Sequence, residues 1–229
     1  MSTIDHRKPT TLPPLVAGQR LDRATFHERY EAMPPATRAE LIGGIVYIPS
    51  PLSADHGDET TPVVGWLFQY QRFTRGVKTS INASTFLDDL AEPQPDVSLR
   101  ILPEFGGQTH YEGEYLAGAP ELVVEVARSS RKIDLGEKLR DYERAGVLEY
   151  LVYALDPPEI FWFARREGRF VRQATDADGC YHSEAFPGLW LDPRALLDDD
   201  LDGLIATLER GLATADHAAF VARLAEKPS

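Results

Sequence analysis

The segment Glu121-Leu-Val-Val-Glu-Val-Ala127 constrains the fold of this chain more than any other. Four of its seven residues are large aliphatics, the pattern of a strand buried on both faces. Glu125 stands in the middle of that run. An ionised carboxylate taken out of water costs several kcal/mol unless a cation or a metal compensates. The segment therefore calls for a sheet covered by helices, with something positive facing Glu125.

The following stretch, Asp134-Leu-Gly-Glu-Lys-Leu-Arg-Asp-Tyr-Glu-Arg-Ala-Gly146, supplies a candidate. It reads as a helix: Asp134 as its cap, Glu137 completing a capping box, and Gly146 as a left-handed stop. At about 100° per residue, Leu135, Leu139, Tyr142 and Ala145 share one face. Glu137, Arg140, Asp141, Glu143 and Arg144 point away from it, while Lys138 falls on the apolar side. An isolated inward lysine snorkels its ammonium to water. Here the strand glutamate offers that ammonium a partner. Lys132 is the alternative, but it precedes the capped helix and is expected to be exposed.

At 229 residues, with 43% hydrophobic and 26% charged, the chain is long and apolar enough to bury a substantial core. Its apolar runs fall short of the ~20 residues of a transmembrane helix. The N-terminal residues lack the apolar core of a signal peptide. The single cysteine, Cys180, excludes an internal disulfide framework and a thiolate metal cage, and a cytoplasmic location is the expectation. The net charge of −12 opposes tight binding along a nucleic-acid backbone, which depends on Lys and Arg displacing counterions. The charge is uneven, however. Asp198, Asp199, Asp200 and Asp202 read as a solvated helix start, whereas Arg128, Arg131, Lys132, Lys138 and Arg140 crowd together after the Glu125 strand.

Residues 1–20 read as an extended lead-in, 21–197 as the main domain, and 198–229 as a helical tail. A helix is expected over Asp22 to Met33, ended by Pro34-Pro35. Arg38 to Ile42 and Ile45 to Ile48 flank the hairpin signal Gly43-Gly44, and Pro49-Ser-Pro51 stops the second strand. Asp55 to about Arg75 has Val63, Trp66, Leu67, Tyr70 and Phe73 at helical spacing. Further strands are expected at 77–86, 96–102, 121–127, 149–155, 160–165 and 170–173. The glycine-rich stretch 103–119 reads as a loop. This order implies an α/β fold, a mixed sheet flanked by helices with an N-terminal helix and hairpin.

Upstream, Pro95-Asp96-Val-Ser-Leu places an aspartate at the mouth of a strand, where Asp is depleted. Alone, it reads as a turn aspartate binding local backbone groups. Beside Glu125 it makes a carboxylate pair, whose mutual repulsion a hard divalent cation relieves.

Pro-Asp, a hydrophobic strand carrying Glu, and a nearby Lys together resemble the PD-(D/E)XK restriction-endonuclease-like superfamily. The whole chain, from about residue 22 to about residue 197, resembles the Uma-two family of endonucleases. The matching pieces are Ala-Glu40-Leu-Ile-Gly-Gly with His56 after it, Pro-Asp96-Val-Ser, Glu-Leu-Val-Val-Glu125-Val-Ala-Arg-Ser-Ser, Asp134-Leu-Gly-Glu-Lys138-Leu-Arg-Asp-Tyr, Ala-Gly-Val-Leu-Glu-Tyr-Leu-Val and Phe-Pro-Gly-Leu-Trp-Leu-Asp. The resemblance implies a restriction-endonuclease-like sheet and Mg²⁺, with Mn²⁺ as substitute, held by Asp96, Glu125 and the carbonyl of Val126. It also implies Lys138 as the catalytic lysine and Glu40 as an accessory acid. The superfamily's short form places its lysine two residues after the glutamate, where this chain has Ala127; the narrower family resemblance implies a lysine supplied from the next helix, where Lys138 stands. His56, after Pro-Ser-Pro, is either a neutral proton acceptor or metal ligand at a helix start, or a turn residue without further role. The implied activity is metal-dependent cleavage of nucleic acid, DNA in the first place, by a homodimer with no membrane association. Two rivals stand beside it. One is a catalytically inactive nuclease-fold module that keeps the charges as a buried ion network. The other is a two-carboxylate glycosidase, for which the chain lacks an aromatic sugar platform near Asp96 or Glu125.

Overall fold

The structure, a computed structural model, describes residues 12–35, 37–49 and 54–226, except the side chains of 54–56. Residues 1–11 of the expected lead-in, and Ser50 and Pro51 of the expected strand stop, lie outside the described residues. Along the chain run α1 (Arg23–Glu31), the hairpin β1 (Glu40–Ile42) and β2 (Ile45–Tyr47), α2 (Ala54–Phe73), β3 (Val77–Ile81), β4 (Thr85–Phe86) and β5 (Val97–Ile101). Next come β6 (His110–Glu112), β7 (Tyr115–Ala117) and β8 (Leu122–Ala127). After β8, α3 (Arg131–Ile133), a π-helical turn (Asp134–Lys138) and α4 (Leu139–Ala145) follow without a break in helical backbone. The chain continues with β9 (Glu149–Leu155), β10 (Pro158–Arg166), β11 (Arg169–Arg172), β12 (Tyr181–His182) and β13 (Trp190–Leu191). Three helices close it: α5 (Pro193–Leu197), α6 (Leu201–Leu212) and α7 (Ala215–Ala225).

Six strands form one mixed sheet in the order β11-β10-β9-β8-β5-β3, the α/β architecture expected from the sequence. β8 and β9 are parallel and every other neighbouring pair is antiparallel. Parallel neighbours require a crossover, and α3 to α4 provides it. All six residues of β8 are buried, so the continuous apolar run reports a strand covered on both faces. Val124 and Val126 enter a core with Trp66 and Leu67 of α2, Leu208 of α6 and Phe220 of α7. Val123 and Ala127 enter the opposite core with Tyr142, Tyr150 and Val152. By strict alternation, Glu125 shares the face of Val123 and Ala127, beneath α4.

Several local expectations are corrected. The helix before β9 begins at Arg131, not at Asp134. Asp134 has helical φ and ψ and makes no capping bond, so the capping-box reading fails. Asp141, expected on the solvent face, is buried. Its Oδ2 accepts the N–H of Gly43 at 2.6 Å and its Oδ1 meets Arg144 at 2.7 Å, tying α4 to the β1–β2 hairpin. The expected strand 77–86 breaks at Asn82, where φ is 50°. The expected loop 103–119 holds β6 and β7, which form a three-stranded sheet with β4. Its glycines permit close approach: a Cβ on Gly107 would lie 1.8 Å from the carbonyl oxygen of Ile101. Among the described residues, no helix is long and apolar enough to cross a membrane.

Candidate active site

Antiparallel pairing of β5 with β8 ends at Val97 opposite Val124, so the next step along the ladder sets Asp96 opposite Glu125. Beyond that last backbone pair, Oδ2 of Asp96 accepts the N–H of Val126 at 2.8 Å. The side chain thus takes the place of a ladder carbonyl, which explains an aspartate at this strand mouth. Glu40 reaches in from the start of β1, and its Oε1 accepts the N–H of Gln94 at 2.7 Å. The Gln94 amide in turn bonds the hydroxyls of Tyr30 at 2.8 Å and Ser84 at 3.0 Å. The Gln94-Pro95-Asp96 turn is thereby locked to the N-terminal hairpin.

Lys138 closes the arrangement from the π-helical turn. Its Nζ lies 3.0 Å from Oε1 of Glu40, 3.0 Å from Oε1 of Glu125 and 3.9 Å from Oδ1 of Asp134. The residue is 6% exposed, so the ammonium does not snorkel to solvent. Tyr142, one turn further, donates its hydroxyl to the same Glu125 oxygen at 2.7 Å. Desolvation of the ammonium is outweighed by four surrounding carboxylates, Glu125, Glu40, Asp134 and Asp96, which hold the Lys138 pKa well above its usual value. Burial, reinforced by Asp96, Asp134 and Glu40, pushes Glu125 well above the ordinary carboxylate range despite Lys138. Asp134 is pushed up to about 6, chiefly by burial.

These groups line a cavity of about 390 Å³ whose walls also carry Arg38, Arg128 and Ile133. Four carboxylates (Glu40, Asp96, Glu125 and Asp134) therefore face one ammonium and two peripheral guanidinium groups. Oδ2 of Asp134 is buried and has no hydrogen-bond partner among the described residues. An excess of hard oxygen donors, one of them orphaned, suits a divalent cation. Among the described residues no three Asp, Glu, His or Cys side chains already stand at mutual ligating distance. The donor set still fits Mg²⁺, which keeps several waters and typically takes one or two carboxylates from the protein.

Of the residues singled out in the sequence, Glu40, Asp96, Glu125, Val126 and Lys138 come together on this cavity. Ala127, at the superfamily's lysine position, is packed in the core beneath α4, and Lys132 is exposed. The backbone of His56 lies in the first turn of α2, and its side chain is outside the described residues. Sequence reasoning missed Asp134, Gln94 and the polar role of Tyr142. Asp134, Lys138 and Tyr142 stand four residues apart, one face of a helix. That spacing was the available signal, obscured by reading Asp134 as a cap.

A family model named Uma2, described as "Putative restriction endonuclease", matches residues 24–194. No curated protein matches the chain. Among solved structures, the chain is similar to the crystal structure of a "putative nuclease belonging to DUF820 from Anabaena variabilis ATCC 29413". The two share 14% identity with a TM-score of 0.57, over 75% of this chain and 96% of that one. At that identity the likeness speaks for the fold.

Proposed function

The chain belongs to the Uma2 family of restriction-endonuclease-like proteins, and on that premise we propose that it cleaves phosphodiester bonds of nucleic acid, DNA in the first place, with a divalent cation held by Asp96 and Glu125. The observation that carries this reading is the placement of Lys138 Nζ, buried and 3.0 Å from a Glu125 that stands across the ladder from Asp96. A bound cation would lower the pKa of its water and neutralise charge on the phosphate, with magnesium the proposed ion and manganese its substitute. Asp96 and Glu125 would be its carboxylate ligands, and the Val126 carbonyl a further one.

The chain's own groups do the rest. Glu40, Glu125 and Asp134 fix the buried Lys138 ammonium on the cavity wall, where it stabilises negative charge developing on the phosphate and steadies the attacking water. Tyr142 orients Glu125 and so keeps its second oxygen available to the cation. Arg38 and Arg128 attract the phosphate to the rim, a local positive field in an acidic protein. The proposed roles of His56, as proton acceptor or ligand, and of a homodimer rest on the sequence resemblance.

A second reading has an observation of its own: the Lys138 ammonium already bridges Glu40 and Glu125, as in a satisfied ion network. In that reading the chain is an inactive nuclease-fold module. Cleavage of labelled DNA with Mg²⁺ separates the two. Asp96→Asn and Glu125→Gln should each abolish cutting by the parent protein, and variants that cut as fast as the parent would refute the assignment.

A further inference from the structure

A second cavity, of about 270 Å³, lies between the N-terminal half of α2 and the end of β3, and Asp96 lines both cavities. Its walls are Gly57, Thr60, Thr61 and Val64 of α2, with Ile81 and Asn82 at the strand end. Asn82 takes a left-handed conformation, φ 50°, that Asn tolerates better than most residues. Its backbone N–H reaches the carbonyls of Pro95 at 3.0 Å and Asp96 at 3.3 Å, so it is anchored to the Asp96 turn. Its side-chain carbonyl accepts Arg38 at 2.6 Å, and Arg38 lines the first cavity. The Asn82 amide therefore joins the two cavities, its carbonyl engaged by Arg38 and its NH₂ left to donate. Val64 and Ile81 provide apolar surface, and Ile81 is half exposed at the end of the edge strand β3.

We infer that this second cavity is a nucleotide subsite: it receives one unpaired nucleotide next to the scissile phosphate, which makes single-stranded nucleic acid the substrate class. The inference rests on the proposed function, since it takes the first cavity as the phosphate site. A polymer with one phosphate at Asp96 must pass its neighbouring nucleotide into adjoining space, and here that space is a recess of about 270 Å³. Val64 and Ile81 take the faces of a base, while the Asn82 NH₂ meets its polar edge or the sugar. A paired base brings its partner and the duplex stack with it, which a recess this small does not admit. Charge agrees. A duplex recruits many Lys and Arg contacts along its backbone, and a net charge of −12 works against that mode. The salt-dependent backbone share is somewhat smaller for a single strand than for a duplex, with slopes of about −0.7 against about −0.9 per phosphate contact, and contacts to the bases add to it.

The test is fluorescence anisotropy with a labelled single-stranded DNA oligonucleotide and its duplex, with Ca²⁺ present so that binding is read without turnover. Gly57 lines the recess and a Cβ on it meets nothing within 4 Å, so Gly57→Leu starts an apolar side chain there from open space, at a helical position that favours Leu over Gly. Asn82→Gly keeps the positive φ and removes the amide. The parent should bind the strand at least about ten-fold more tightly than the duplex, and each variant should lose about ten-fold for the strand. Neither variant should change Mn²⁺ binding at the first cavity. A parent that binds duplex as tightly as strand, binds neither, or is unaffected by Gly57→Leu overturns the subsite. Failure of the nuclease reading shows separately, as Mn²⁺ binding that ignores Asp96→Asn.

Discussion

Lys138 is where the physical chemistry of this molecule is most exposed. Its ammonium lies 3.0 Å from Glu40 and Glu125 and 3.9 Å from Asp134, and Lys138, Glu125 and Asp134 are buried while Glu40 is partly so. Lys138→Met keeps the length of the side chain and removes the charge. It should cost about 3 kcal/mol of stability near neutral pH, because carboxylates are left buried without a counterion. The loss should shrink in acid, where those carboxyls take up protons. Phosphodiester cleavage should fall about 100-fold, the scale of removing one preorganised electrostatic contact. Chemical denaturation at two pH values, beside a cleavage assay, checks both expectations. Unchanged stability would mean that the ammonium does not balance those charges.

At the scale of elements, β8 and the helical segment after it show how far sequence can be read. Glu125 was legible because a charged residue in a continuous apolar run conflicts with burial, and Lys138 because it sat on the apolar face of a helix. Asp134 was not legible. The π-helical turn over Asp134–Lys138 leaves no pattern in periodicity, and an aspartate ahead of a helical stretch reads as a cap. Nor were the short strands β6 and β7, because three-residue strands bounded by glycines look like loop. The start of β9 holds another buried acid outside the site. Glu149 accepts the N–H of Glu184 at 2.7 Å and bonds the Ser183 hydroxyl, tying the sheet to the segment after β12. Burial pushes its pKa from 4.5 up to about 7. The folded chain then holds a proton that the unfolded chain releases, so this contribution is complete below about pH 4.5 and is lost as pH rises through about 7. The swing is on the order of 3 kcal/mol. Glu149→Gln should flatten the fall in melting temperature across that window, and an unaltered slope would show that Glu149 does not titrate there.

The whole molecule is a covered sheet that gathers its chemistry at one point. The hairpin brings Glu40, the end of β5 brings Asp96, the middle of β8 brings Glu125, and the crossover helix brings Asp134 and Lys138. These residues come from four separate parts of the chain, so no single motif announces the site. The Uma2 family model matches the stretch that holds all of them, residues 24–194. The central claim is that Asp96 and Glu125 form a divalent-cation site and not the acidic half of a finished ion network. The most direct measurement is titration of the metal-free protein with Mn²⁺, reading free ion by its electron paramagnetic resonance signal. The expected result is saturable uptake by the parent that Asp96→Asn and Glu125→Gln both abolish while remaining folded. Absence of uptake by the parent, or uptake unchanged in both variants, would contradict it.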